Sequence, residues 1–541
     1  MVAASRDALL SLKNLSVPLP SHGERSHAVK DLSLDLYPGE ILCIVGESGS
    51  GKSISANAVM GLLPRNMRPE GGTIMFQGKD LLKLSDKQMN ALRGRDIGMI
   101  FQEPMSALNP TMKVGRQIME VMEIHASPAT GAERHARMLD LLAYVGLPDP
   151  ASLQYVYPFR LSGGQRQRVM IAMALALEPS VLIADEPTTA LDVTTQAQVL
   201  ELIRSIQQAK DMGVLFITHD FGVVADIADR IAVMEEGILV ELGQRDDVLT
   251  RPQHPYTQRL IAAVPKGIPR EDRPASVQPL LDVKNLTKSY TTRNGFGRAQ
   301  RVVKAVNDVS FRLSRGETLG IVGESGSGKS TIGKCLLKLQ DIDGGQILVN
   351  GKDIAPLSQA QFRPMRGKIR MIFQDPFASL NPRQKIGQIL TDGPVAQGVP
   401  LAKAAARARE LLALVQLGET AFDRYPGEFS GGQRQRIGIA RALALSPDII
   451  VADESVSALD VSVQAQVLDL LGDIQRTMGV AMIFITHDLR VAAQICHNIA
   501  VMHRGQVVEY GPPGEILVSP RNDYTRRLID AIPGNRHRLA S

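Results

Sequence analysis

Two stretches of the chain carry residues suited to phosphate chemistry. GESGSGKS occurs at Gly46–Ser53 and again at Gly323–Ser330. Each follows an apolar run and matches G-x-x-x-x-G-K-[ST], the loop whose backbone N–H groups turn inward around phosphates. Gly46, Ser48, Gly49 and Gly51 shape the first copy, and Gly323, Ser325, Gly326 and Gly328 the second. Lys52 and Lys329 then stand where β- and γ-phosphate oxygens need a cation, at the positive end of a helix. Ser53 and Ser330 offer a hydroxyl to Mg²⁺, a cation that takes oxygen ligands, and Thr331 continues the second loop into its helix. Downstream, VLIADE (Val181–Glu186) and IIVADE (Ile449–Glu454) are apolar strands ending in paired acids. A carboxylate at a buried strand tip is costly unless a metal or a hydrogen bond compensates. Asp185 and Asp453 therefore suit the Mg²⁺ shell, and Glu186 and Glu454 are placed to orient or deprotonate an attacking water.

These residues come in pairs because the chain is a duplication. SGGQRQR at Ser162 and Ser430, ADE at Ala184 and Ala452, ALD at Ala190 and Ala458, ITHD at Ile217 and Ile485, and YT at Tyr256 and Tyr524 all recur at one constant offset. Repeats in the same order define two copies of one fold. At 541 residues the chain also exceeds the roughly 250–300 that a single core serves. The expected layout is a first domain over 1–265, a linker over 266–279 and a second domain over 280–541. The linker, KGIPREDRPASVQP, is rich in proline and charge and reads as exposed. The second domain opens with a strand over Leu280–Leu286. Strand-like runs (Ile41–Val45, Val181–Ala184, Val214–Thr218) alternate with helical segments (Lys52–Leu62, Gln165–Leu177). That order predicts an α/β fold with a mostly parallel sheet in each half.

Composition narrows the function further. With 44% hydrophobic and 22% charged residues the chain is neither disordered nor low in complexity. The longest apolar stretch, Val169–Leu177, stops at Glu178-Pro179, short of the ~18–20 residues a membrane span needs. The N-terminus lacks the pattern of a secretory signal. Cys43, Cys335 and Cys496 are scattered without a C-x-x-C pair, which predicts buried fillers rather than a metal site. A net charge of +5 without a dense basic block gives no nucleic-acid footprint.

LSGGQRQR at Leu161 and FSGGQRQR at Phe429, added to the phosphate loops and the ADE acids, make the chain resemble a tandem ABC-type ATPase. The resemblance implies a helical subdomain carrying SGGQ in each half, and two MgATP held head to tail between the halves of one chain. Ser430, Gly432 and Gln433 would cap the ATP over Lys52. Ser162, Gly164 and Gln165 would cap the one over Lys329. Gln102 in FQEP and Gln374 in FQDP match the glutamine that contacts Mg²⁺, the attacking water and the membrane partner. His219 and His487 match the histidine that steadies the γ-phosphate, and Asp192 and Asp460 the aspartate at the dimer seam. Both copies keep the full set, so two hydrolytic sites are expected. Tyr290 matches the aromatic that stacks on adenine, whereas the first copy has Leu19, with His27 as the candidate substitute. Ser455 replaces Pro187 beside the glutamate, a change of little expected consequence.

HPYTQRLIAAVP (His254–Pro265) and NDYTRRLIDAIP (Asn522–Pro533) resemble the tail of ATPases that drive oligopeptide, dipeptide and nickel importers, as do FQEPMSALNP and FQDPFASLNP. This implies two transmembrane permease subunits, an external solute-binding protein and peripheral attachment at the cytoplasmic face of the cell membrane. The cargo implied is a peptide, with nickel, glutathione or another small solute as alternatives. Soluble relatives acting on ribosomes or DNA carry a long charged helical linker or zinc cysteines, and this sequence has neither.

Overall fold

All five residues of the strand Ile41–Val45 are apolar and buried, a pattern that suits a strand covered on both faces. The same holds for Val181–Asp185 and Gly213–Thr218, whose burial is likewise unbroken. In the computed structural model, which describes residues 7–20, 25–125, 130–189, 191–270, 279–292, 301–457 and 459–535, these strands lie at the centre of a six-stranded sheet. Its order is Ile238–Gln244, Arg230–Glu235, Ile41–Val45, Gly213–Thr218, Val181–Asp185, Ile97–Ile100. Every pairing is parallel except that of the edge strand Ile238–Gln244. The second half repeats this with Thr318–Val322, Ala481–Thr486 and Ile449–Asp453 at the centre and Gln506–Gly511 as the antiparallel edge.

The expectation of a mostly parallel sheet describes the main sheet only. A second, antiparallel sheet of four strands accompanies it in each half. Leu10–Pro18 pairs with His27–Leu36 and Gly71–Phe76 in one, Pro279–Thr292 with Arg301–Ser314 and Gly344–Val349 in the other. One face of Leu10–Pro18 is buried (Leu10, Leu12, Leu15, Val17) and packs into the core with Ile44 and Ile217. The strand expected over Leu280–Leu286 runs on to Thr292, because pairing with Arg301–Ser314 extends it beyond its apolar part.

A helical subdomain rises from each half. Val114–Ile124, Gly131–Tyr144 and Gly163–Ala174 pack together in the first, and Ile386–Ala396, Leu401–Leu414 and Gly431–Leu443 in the second. Two helix boundaries differ from expectation. Lys52–Met60 ends early because Gly61 adopts the left-handed conformation that stops a helix. Gly163–Ala174 starts early because Ser162 caps it.

The chain divides into two compact units. The first runs to Val264 and takes in the segment from Ile532 onward; the second runs from Pro265 to Ala531. Of the stretch expected to be an exposed linker, residues 271–278 lie outside the described residues. Arg270 at its start is anchored in the second unit, donating to Gln475 Oε1 at 2.8 Å and, through its amide, to the Ala493 carbonyl. All three cysteines are buried, and burial pushes their thiols up. Among the described residues, no helix is long and apolar enough to cross a membrane.

Candidate functional site

The chain must turn sharply between the strand Ile41–Val45 and the helix Lys52–Met60, and glycine makes that turn. Gly51 has φ 98°, and a Cβ there would lie 2.4 Å from the Ala28 carbonyl oxygen. Gly328 has φ 104°, where a Cβ would come within 2.0 Å of the Ala305 carbonyl oxygen. A side chain fits at neither position. Ser48, Gly49, Ser325 and Gly326 stay exposed at the rim, while Gly46 and Gly323 sit buried at the strand ends. The buried Lys52 folds back over its loop and donates to the Gly46 and Glu47 carbonyls at 2.8 and 2.7 Å. Lys329 does the same to Gly323 and Glu324, at 2.7 and 2.9 Å. A phosphate arriving here would exchange neutral carbonyl partners for anionic oxygens, a stronger contact for an ammonium.

The acid pairs stand beside these loops. Ser53 Oγ donates to Asp185 Oδ1 at 3.0 Å, and Ser330 Oγ to Asp453 Oδ1 at 2.9 Å. Burial pushes the Asp185 carboxyl up to about 6 against the Ser53 hydrogen bond, and burial raises Asp453 too. A carboxylate this desolvated, with a hydroxyl at hand, is an all-oxygen pair suited to a hard divalent cation. Each neighbouring glutamate meets the expected glutamine. Gln102 Nε2 donates to Glu186 Oε2 at 2.9 Å, and Gln374 Nε2 to Glu454 Oε2 at 2.7 Å.

Beyond that the two sites diverge. Glu186 also has His219 Nδ1 at 3.2 Å and accepts from Thr189 Oγ1 at 2.9 Å. Burial alone would raise its carboxyl, but the His219 contact, Thr189 and Lys52 bring it down to about 2. Glu454 instead lies 3.8 Å from Lys329 Nζ, and His487 makes no hydrogen bond or ion pair with it among the described residues. Ser457, which replaces Thr189, turns its hydroxyl to the Glu454 backbone carbonyl. Both glutamates hold a left-handed backbone, φ 46° and 44°. That is uncommon for a side chain with a Cβ and stores strain of the order of 1–3 kcal/mol.

The SGGQ segments open helices. Ser162 Oγ accepts from the Gln165 amide at 3.2 Å while Gln165 Oε1 accepts from the Ser162 amide at 3.1 Å. Ser430 and Gln433 repeat this reciprocal cap at 3.3 and 3.0 Å. A Cβ on Gly164 would meet Thr195 at 2.6 Å and one on Gly432 would meet Val463 at 2.4 Å, so these glycines let a second helix approach. Asp192 caps that helix, Val193–Lys210, accepting from the Thr195 amide at 3.0 Å. Tyr290 is 36% exposed near the end of its strand, with Lys288 Nζ 5.9 Å from the ring centre. Leu19 packs against the core instead, and His27 is engaged by Ser26 and Glu70.

One pair of site residues was not expected. The amide of Glu47, inside the first phosphate loop, donates to Tyr256 Oη at 3.0 Å, and that of Glu324 to Tyr524 Oη at 3.2 Å. Each tyrosine sits on the short helix that closes its half, and Tyr524 also stacks on His503 at 4.0 Å. The repeated YT at constant spacing was the available signal. One such bond is worth about 0.5–1.5 kcal/mol net. Tyr256→Phe and Tyr524→Phe should therefore each weaken nucleotide binding by their own loop roughly two- to tenfold. Titration with a fluorescent ATP analogue checks this, and unchanged affinity would remove the brace.

Comparison with known proteins agrees with this geometry. The ABC transporter family model matches residues 29–189 and 306–457. The model for the oligopeptide/dipeptide transporter C-terminal region matches residues 240–293 and 508–540. The glutathione import ATP-binding protein GsiA of Salmonella paratyphi A is 48% identical over 99% of this chain and 91% of its own length. The protein of the same name from Escherichia coli O6:H1 is 47% identical over 97% of this chain and 89% of its own.

Proposed function

The chain belongs to the ABC transporter family of ATP-hydrolysing proteins, and from that premise we propose that it powers an importer of small peptides, glutathione among them. The observation that carries the reading is the tail region of oligopeptide and dipeptide transporters, present after both halves. The relatives named for glutathione import, which span nearly the whole chain, support the same cargo class. The chain would sit at the cytoplasmic face of the cell membrane, coupled to two permease subunits that receive solute from an external binding protein.

In this mechanism each phosphate loop binds one ATP. Mg²⁺ would be held by Ser53 and Asp185 near Gln102, and by Ser330 and Asp453 near Gln374, where it would draw charge off the γ-phosphate. Lys52 and Lys329 neutralise the β- and γ-oxygens. Glu186 and Glu454 take the proton of the attacking water, which Gln102 and Gln374 orient through the contacts already in place. His219 and His487 steady the γ-phosphate. The SGGQ segment of each half closes on the nucleotide held by the other, so closure and hydrolysis are one cycle.

The two sites should differ in affinity. Tyr290 gives adenine a ring to stack on and Leu19 does not, a difference of about 0.5–1.5 kcal/mol. Lys329→Ala, which leaves the site over Lys52, is expected to bind ATP roughly two- to tenfold more weakly than Lys52→Ala. Equal affinities in equilibrium binding would remove stacking as the cause. The function itself is tested by co-purifying the tagged chain with its membrane partners, reconstituting them, and measuring ATP-dependent uptake of labelled glutathione and of di- and oligopeptides. Uptake of any of these supports the reading. Two membrane partners with stimulated ATPase but no peptide uptake would overturn the cargo class.

A further inference from the structure

The phosphate loop of the first unit has an arginine beside it that the second unit does not repeat. Arg25 stands just beyond the last pair of the hairpin formed by Leu10–Pro18 and His27–Leu36, where Pro18 faces His27. It is partly exposed, and its Nη2 donates to the carbonyl oxygen of Gly49, in the middle of the loop, at 2.8 Å. The same nitrogen would lie 3.7 Å from a Cβ on Gly49. Among the described residues this neutral carbonyl is the one polar partner of the guanidinium.

The second unit supplies the comparison. The spacing that separates Gly46 from Gly323 also separates Ala28 from Ala305, the alanines whose carbonyls crowd Gly51 and Gly328. Counted by that spacing Arg25 falls on Val302, which is 58% exposed. The two loops nevertheless share one backbone. Gly49 and Gly326 both have φ 79°, and Gly51 and Gly328 have 98° and 104°. Among the described residues nothing lies within 4 Å of a Cβ built on Gly326. A loop that takes this shape without an arginine does not need one as a brace. The adenine side differs in the opposite sense, with Tyr290 in the second unit and Leu19 in the first. Lys288, the cation near the Tyr290 ring, is already bound to Asp343 at 2.9 Å.

We propose that Arg25 is a nucleotide-binding residue of the first site: its guanidinium engages the phosphate chain of ATP seated on Gly46–Ser53, so that this site leans on charge where the second leans on stacking. The inference rests on the reading of that loop as an ATP site, and not on the cargo. A guanidinium has five N–H donors and Gly49 takes one, so the fork keeps its place on the loop while other donors meet phosphate oxygens. A charged oxygen is a stronger partner for it than the carbonyl. Lys52 shows the same pattern in the same loop, its ammonium held by the Gly46 and Glu47 carbonyls. Arg25 thereby offsets part of what Leu19 withholds, and most at low salt, where a partly exposed ionic contact is least screened.

The test uses the full chain carrying Lys329→Ala, which leaves the first site, and measures equilibrium binding of labelled ATP with inorganic tripolyphosphate as competitor. Arg25→Val, which copies the second unit, should weaken ATP about tenfold at low salt, the worth of a hydrogen bond to a charged group, and by less as salt is raised. Tripolyphosphate should weaken in proportion, because the contact is to phosphate and not to the base. Arg25→Gln keeps an N–H donor for Gly49 without the charge and should bind as poorly as Arg25→Val, while Arg25→Lys should recover part of the loss. Unchanged ATP affinity in Arg25→Val would overturn the inference. So would full recovery in Arg25→Gln, which would make Arg25 a brace of the loop, or a loss seen with ATP and not with tripolyphosphate, which would place it on the base. If the chain with Lys329→Ala alone binds no ATP, the reading of the first loop falls first and this inference with it.

Discussion

Glu186→Gln combined with Glu454→Gln should leave ATP binding intact and lower hydrolysis by about 10²–10⁴-fold, the usual worth of a positioned general base. The substitution keeps the shape and one acceptor oxygen, on which the glutamine contact can persist, but replaces the basic carboxylate with an amide that cannot take a proton. Each glutamate is fixed by a backbone hydrogen bond from its own amide, to Ile217 and Ile485 respectively, and by the glutamine facing it. The left-handed φ at both positions is the more telling sign, because strain at a residue that glycine would suit better persists when the side chain is needed there. Phosphate release measured beside filter-retained ATP separates the two effects. Retained turnover would take these residues out of the base role.

The second large effect concerns which serine serves which lysine. In the double-Gln background, Lys52→Ala with Ser430→Arg damages one composite site and should leave about one ATP trapped per chain. Lys52→Ala with Ser162→Arg damages both and should leave almost none. The arginine also removes a helix cap, a loss of about 1 kcal/mol that is the same in either variant. The contrast between the two pairs therefore isolates the head-to-tail arrangement. The reverse pattern, with one ATP left by the Ser162→Arg pair and almost none by the Ser430→Arg pair, would mean that each half caps its own nucleotide.

Much of this site was legible in the residues because its parts are local. A phosphate loop needs glycines, a lysine and a hydroxyl within eight positions, and Gly51 and Gly328 show why no other residue fits. The acid pairs were legible because a strand as apolar as Val181–Ala184 has no other reason to end in two carboxylates. What stayed hidden depends on distant partners. The antiparallel sheet arises from pairings such as Leu10 with Phe76, which no local pattern announces. Tyr256 and Glu47 lie far apart in sequence and meet only because the closing helix returns to the loop. The differing surroundings of Glu186 and Glu454 hang on side-chain choices at Thr189 and Ser457 that look conservative when written as letters.

The paired caps at Ser162–Gln165 and Ser430–Gln433 have a consequence for nucleotide discrimination. In each, hydroxyl and amide are already satisfied by one another, so a ligand must offer more than a neutral acceptor to draw them away. A terminal phosphate, anionic and aimed at a helix N-terminus, does so; a diphosphate ends one group short. On the proposed function the resting cap would set a threshold that ATP crosses and ADP does not, so that resetting the machine would need no part dedicated to sensing the product.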